Sequence, residues 1–315
     1  RCVAMSPGEI EAHALGAIDK GSASFAAAAR MFDRRTRTSV VLLYAWCRHC
    51  DDVIDGQSLG SRSWQADGGG LERLAGLMRE TTAALDGVPG GPAFAGLALV
   101  AHRHGLARED LYEHLEGFGM DVRGERYDTL AQLLVYCHRV AGVVGLMMAR
   151  IMDVTDTPTL ARAADLGLAF QLTNIARDIV DDARAGRVYV PQDWMVEEGL
   201  VPEDLGDPAH AEAIARLRRR LVLAAEPYYA SARAGIDRLP RRSALAIAAA
   251  HGIYRRIGLK LVANASMPYN HRVSTTRAEK LVEFGRAATI AALRRPRRGE
   301  PPVPPSPFRQ RAVLR

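Results

Sequence analysis

A polar ladder set inside an apolar, helix-forming stretch constrains this chain more than any other feature. From 166 to 182 the sequence reads Leu-Gly-Leu-Ala-Phe-Gln-Leu-Thr-Asn-Ile-Ala-Arg-Asp-Ile-Val-Asp-Asp. Asn174, Asp178 and Asp182 recur every four residues, so on a helix their oxygens stack along one face. Arg177 and Asp181 share the neighbouring face. The remaining faces are apolar and suited to burial, so the polar ladder is expected to line a cavity.

A second cluster obeys the same spacing. It reads Tyr44-Ala-Trp-Cys-Arg48-His-Cys-Asp51-Asp52-Val-Ile-Asp55. Tyr44, Arg48, Asp51 and Asp55 fall on one helix face. Like charges four apart cost an isolated helix roughly 0.2–0.5 kcal/mol. A divalent cation is the natural compensation.

Apolar residues at three- and four-residue spacing continue through most of the chain, and strand-like alternation is hard to find. Helices are expected near 8–19, 22–30, 36–55, 71–85, 93–104, 108–118, 129–152, 158–183, 209–237, 243–266 and 275–293. Breaks fall at 56–70, 86–92, 184–191, 202–208 and 268–271, each rich in Gly or Pro. The expectation is one all-α domain over 1–293. Residues 294–315 form a Pro/Arg-rich tail, with six prolines between Pro296 and Pro307, and are expected to be extended and mobile.

The pI of about 9.3 resembles a nucleic-acid signal. The tail, however, holds seven Arg and one Glu, a net +6, which equals the formal charge of the whole chain. The body is therefore near neutral, and no nucleic-acid partner is expected. The basic tail can meet anionic lipid instead. Cys2, Cys47, Cys50 and Cys137 lack the spacing of a disulfide framework, which favours a reducing, cytoplasmic setting. No unbroken apolar run reaches membrane-spanning length; Val140–Met152 reads as a buried helix. No secretory signal pattern is visible.

The ligand types set the chemistry. Mg²⁺ prefers oxygen ligands and is held by one or two carboxylates together with substrate phosphates. Two carboxylate ladders suit a cluster of such ions with diphosphate. Arg48 and Arg177 add charge-assisted hydrogen bonds to phosphate. Departure of diphosphate from an allylic carbon leaves a carbocation, which needs a dry pocket and aromatic faces. Either cluster alone reads equally well as a solvated helix face; two clusters, each with an Arg in register, do not.

The chain resembles the squalene/phytoene synthase family, and its bacterial phytoene-forming members most. The matching segments are Ser24-Phe25 with Phe32, Tyr44–Asp55, Gly119-Met-Asp121, Tyr136–Gly145, Gln171–Asp182, Arg187–Pro191 and Arg272-Val-Ser274. The resemblance implies an all-α isoprenoid-synthase fold with a central cavity. It implies Asp51, Asp55, Asn174, Asp178 and Asp182 as metal ligands. Ser24, Arg48, Arg177 and Arg272 become diphosphate contacts, and Tyr44, Tyr136 and Tyr189 become pocket or flap tyrosines acting with Arg48 and Arg177 in catalysis. Many relatives carry Lys where Ala23 stands, so another cation must serve here.

The implied reaction joins two geranylgeranyl diphosphates head to head, through a cyclopropyl (prephytoene) diphosphate, to 15-cis-phytoene, the first committed step of carotenoid biosynthesis. No NADPH is expected if the second half ends in proton loss. The alternatives are squalene or dehydrosqualene synthesis from farnesyl diphosphate, and a non-catalytic assembly protein of the same fold. Peripheral membrane contact is expected, because substrates and product are lipids. No obligate protein partner is evident.

Other features have plainer readings. Cys47-x-x-Cys50 has no second pair, so core cysteines are expected rather than zinc ligands. His49 and His138 read as satisfied helix histidines. Gly142 and Gly145 mean either close helix packing or a locally loosened helix beside the cavity. Tyr136 is either a core tyrosine or a ring facing the cation. Residues 184–191 are either a turn or a flap.

Overall fold

The structure is a computed structural model that describes residues 6–21, 28–56, 69–263 and 273–293. The described residues contain helices and connections and no strand. Helix α1 spans Pro7–Gly21, α2 Arg34–Ile54, α3 Gly70–Leu85, α4 Pro92–His104 and α5 Arg108–Val122. Next come α6 Leu130–Cys137, a π-turn His138–Gly142, and α7 Val143–Ile151. Helix α8 spans Thr157–Arg184, α9 Gln192–Glu197, α10 Ala211–Ile236, α11 Arg241–Ala263 and α12 Arg277–Ala292.

Most expected helices appear within a few residues of their expected limits. The helix expected over 22–30 lies largely outside the described residues; residues 28 and 29 are helical. Helix α5 runs through Gly119 to Val122, where the sequence suggests an end near 118, because Gly117 and Gly119 are packed inside rather than left to water. Helix α9 was not foreseen. Six residues after Pro191 are too few to show a period.

Two compact units divide the chain. One comprises Arg1–Arg123 with Met147–Thr155; the other comprises Gly124–Leu146 with Asp156–Arg315. In the first, α2 is the centre, with α1, α3, α4 and α5 packed on it. Its start is fixed by Asp33, whose carboxylate accepts the Thr36 N–H at 3.0 Å and the Thr36 hydroxyl at 2.7 Å. Those hydrogen bonds pull the Asp33 pKa down. The buried face of α2 runs Val40, Leu43, Trp46, Cys50 and Ile54. Arg48 and Asp51 fall between these positions, Asp55 follows them, and all three are left partly exposed.

In the second unit α8 is the centre, packed by α10, α11 and the π-turn. Asp156 caps it by accepting the Thr159 N–H at 3.0 Å. Arg162 is 1% exposed and donates to the Ser231 carbonyl at 3.1 Å; Ser231 Oγ donates to buried Asp165 at 2.5 Å. This network fixes α8 against α10. A Cβ at Gly145 would collide with the Ala163 carbonyl, and one at Gly167 with that of Ala141. Both glycines therefore serve close packing, and the helix is also loosened one turn earlier, at the π-turn. Close packing is the reading that holds for Gly145.

Leu130–Ile151 is, by length and composition, apolar enough to cross a membrane, and less than half of its most apolar window is buried. Counting only the unbroken apolar run from Val140 understates its length, because Arg139 and Arg150 are its only charges.

Candidate active site

Helix α2 delivers the first acidic face in paired form. Arg48 Nη1 lies 3.1 Å from Asp51 Oδ2, and Nη2 lies 2.6 Å from Asp52 Oδ1. The second contact is a close ion pair four residues along the helix. Burial works against the Arg48 charge, but Asp51, Asp52 and the Tyr44 phenol outweigh it and raise its pKa. Tyr44 and Arg48 thus share an electrostatic neighbourhood, as their spacing predicts. Asp55 closes the helix, its N–H donating to the Asp51 carbonyl at 2.9 Å. Asp52 is a participant that the expected ligand set omitted.

Helix α8 delivers the second face. Arg177 embraces Asp178: Nε is 2.8 Å from Oδ1 and Nη2 2.5 Å from Oδ2. Asp178 is 6% exposed, so this fork neutralises a carboxylate with little water of its own. Burial lowers the Arg177 pKa, while Asp178, Tyr254 and Asp182 together raise it by more. One turn earlier, Asn174 Oδ1 is buried and has no hydrogen-bond partner. An unsatisfied buried amide oxygen costs about 1–3 kcal/mol. In line with Asp178 and Asp182, it offers a hard oxygen to a cation.

These donors fit Mg²⁺. All are oxygens, and among the described residues no group of three or more His, Cys, Asp or Glu closes on one point. Oxygen donors are the ligand type of a cation that takes its remaining ligands from phosphate and water. Burial, with help from Asp51, pushes the Cys47 thiol up to about 12, and burial drives Cys50 well above its ordinary value.

Aromatic residues gather in the second unit. Tyr136 and Tyr189 stack with centroids 4.9 Å apart and planes 21° apart, and Tyr127 lies 5.5 Å from Tyr136. The structure therefore joins two residues that the sequence places about fifty apart. Gln192 and Asp193 donate backbone hydrogen bonds to the carbonyls of Tyr127 and Asp128, at 2.8 and 3.0 Å, which docks the end of the 184–191 connection. Phe170, one turn before Asn174, stacks on Tyr254 at 4.3 Å. Its spacing from Asn174 was the available signal. Tyr254 and Tyr127, on other elements, carried none.

Arg218 is another unforeseen neighbour. It is 9% exposed on α10; burial lowers its pKa, and Asp181 and Asp178 act in the opposite direction. His49 has the plainer role expected of it. It packs edge-on to Phe94 at 5.3 Å, and burial lowers its pKa. The cleft of about 470 Å³ beside it, lined by His13, Arg73, Glu80 and Phe94, includes none of the expected ligands. Ser24 and Arg272, expected at the diphosphates, lie outside the described residues.

Comparison with known proteins places the chain in a family. A sequence model of the family described as squalene/phytoene synthase matches residues 18–279. A 15-cis-phytoene synthase of Enterobacter agglomerans is 52% identical over 285 residues, covering 90% of this chain and 97% of that one. A 15-cis-phytoene synthase of Pantoea ananas is 52% identical over 294 residues, covering 93% and 95%. Among solved structures, a dehydrosqualene synthase in complex with ligand superposes with a TM-score of 0.77 at 25% identity, covering 90% of this chain and 97% of that one. With a family model matching residues 18–279 and relatives 52% identical over most of its length, this chain belongs to the squalene/phytoene synthase family.

Proposed function

We propose that this chain joins two geranylgeranyl diphosphates head to head and releases 15-cis-phytoene, through a cyclopropylcarbinyl diphosphate. The observation that carries the reading is 52% identity to a protein named 15-cis-phytoene synthase, across 97% of that protein's length. Residues 1–293 act as the catalytic domain and 294–315 as a basic tail.

Each residue's task follows from its chemistry. Asp51 and Asp55 on α2, with Asn174, Asp178 and Asp182 on α8, supply oxygen ligands to Mg²⁺, with Mn²⁺ as a substitute. Bound there, the cation acts as a Lewis acid toward the leaving diphosphate. Arg48 and Arg177 orient their neighbouring carboxylates through their ion pairs, and turn remaining N–H donors toward phosphate oxygens. Ser24 and Arg272 add diphosphate contacts. When the allylic C–O bond of the first substrate breaks and its diphosphate leaves, the carbocation is attacked by the double bond of the second, and loss of a first proton closes the cyclopropane ring. The intermediate's own C–O bond then breaks, the skeleton rearranges, and a proton is lost, so no hydride donor is consumed. The Tyr136–Tyr189 stack and Tyr44 present ring faces that favour positive charge.

The protein works in the cytoplasm at a membrane surface, since its product is an oil and its substrates are amphiphiles. The tail's arginines support contact with anionic lipid.

Radiolabelled C15 or C20 diphosphate, incubated with the protein and Mg²⁺ with and without NADPH, tests the reading. A C40 hydrocarbon without NADPH is expected. A C30 product from the C15 substrate alone points to squalene or dehydrosqualene synthesis, and no hydrocarbon from either points to a non-catalytic member of the fold.

A further inference from the structure

Helix α12 presents to solvent the side that a helix facing water normally hides. Glu283 is turned inward and is 5% exposed, whereas Leu281 and Val282 are turned outward at 70% and 50% exposure. The inversion is built in. Arg256 on α11 donates to Glu283 Oε1 from Nε at 2.8 Å and from Nη2 at 2.5 Å, and Arg286 Nη1 lies 3.1 Å away. Gly252 on α11 leaves the room: any Cβ there would collide with Glu283 Oε2. Burying a carboxylate is costly unless it is paired in this way.

The outward stripe is continuous. Ala278, Leu281, Val282, Gly285, Thr289 and Ala292 are all exposed and follow three- and four-residue spacing. Leu293, just past the helix, is 72% exposed. The rim is basic. Glu279, the helix's other carboxylate, is occupied by the Thr276 N–H at 2.7 Å and Lys260 at 3.1 Å. Arg277 is exposed, and the Arg286 side chain is 65% exposed. Among the described residues 277–293 the basic groups are Arg277, Lys280 and Arg286, and both carboxylates, Glu279 and Glu283, are already paired.

We propose that the outward face of α12 is the surface by which this protein docks on an anionic lipid bilayer. The inference rests on the membrane contact proposed above and names the element that makes it. An apolar stripe edged by arginines lies in the interfacial plane, with aliphatic side chains among the acyl chains and guanidinium groups among the phosphates. A second copy is a poorer occupant: a two-fold contact sets each patch against itself, which brings the basic rims together.

The test is co-sedimentation of the full chain with phosphatidylcholine vesicles, with and without phosphatidylglycerol, alongside light scattering for mass. Wild type is expected to bind the anionic vesicles. Leu281→Glu/Val282→Glu is expected to weaken that binding by at least about tenfold, because two aliphatic side chains no longer enter the acyl layer. Leu223→Glu, at an exposed apolar position on α10, is expected to bind like wild type. Leu281→Trp serves as a second probe, its emission shifting to the blue on anionic vesicles only. Double-variant binding equal to wild type, with helical circular dichroism intact, overturns the proposal and leaves membrane contact to another surface such as the tail. Failure of wild type to bind vesicles overturns both readings, and a wild-type dimer that the double variant dissociates assigns the face to a second copy instead.

Discussion

Arg177 holds both oxygens of its sequence neighbour Asp178, with Nε 2.8 Å from Oδ1 and Nη2 2.5 Å from Oδ2. Adjacent residues on a helix point about 100° apart, so this contact requires the arginine to fold back along the helix surface. It does so because Asp178 is nearly dry and Arg177 is largely buried with it. The fork leaves each carboxylate oxygen a lone pair for a cation.

Replacing Arg177 with Lys tests the fork apart from the charge. Lysine keeps the positive charge but has no planar pair of donors. Turnover per enzyme is expected to fall at least tenfold, about 1.4 kcal/mol of barrier, with the circular dichroism of the helices unchanged. Steady-state kinetics near wild-type values would rule out a role for the bidentate geometry.

Asn174 separates stability from function. Its buried Oδ1 has no partner, so Asn174→Ala removes an unsatisfied group. The melting temperature is expected to stay level or rise, while the Mg²⁺ concentration for half-maximal activity rises about tenfold or more. A clear loss of stability with unchanged metal demand would instead mark Asn174 as structural. Chelation of divalent metal is expected to abolish turnover in wild type, with recovery on adding Mg²⁺ or Mn²⁺.

His251 makes stability fall in acid. Burial pulls its pKa below the ordinary 6.5, Arg255 and Arg233 push the same way, and the Tyr229 carbonyl and Glu226 oppose them. Nε2 donates to that carbonyl at 3.0 Å, as the neutral ring can. A folded-state pKa below the unfolded one means the unfolded chain binds more protons. The contribution is therefore complete above about pH 6.5 and is lost as pH drops from there through the folded pKa. Burial lowers the pKa of His49 and His104 too, so they act in the same sense. Urea midpoints are expected to be lower at pH 5 than at pH 7.5, and His251→Gln to narrow the gap. An unchanged gap in the variant would assign the acid sensitivity elsewhere.

Gly167→Ala is expected to destabilise the second unit by about 1–3 kcal/mol, because the new methyl meets the Ala141 carbonyl where no side chain can yield. Ala substitution at Gly285, with open space around it, is the control. Thermal melts of the two variants should differ; coincident melts would show that the helices separate at little cost.

The sequence alone determined the helices, because apolar spacing of three and four is a local property that survives without neighbours. The same locality placed Asp51 with Asp55, and Asn174 with Asp178 and Asp182, since residues four apart on a helix share a face whatever surrounds it. Tertiary structure decided which partner each side chain takes. Tyr136 on α6 meets Tyr189 in the connection after α8, Arg218 approaches Asp181 from α10, and Phe170 finds Tyr254 on α11. None of these pairings has a period to reveal it. The inward turn of Glu283 was equally hidden: a carboxylate is buried only when other helices supply its cations and leave it room, and Arg256 and Gly252 are both on α11. Orientation of a helix about its own axis is set by its neighbours, and that is where the sequence stops and packing takes over.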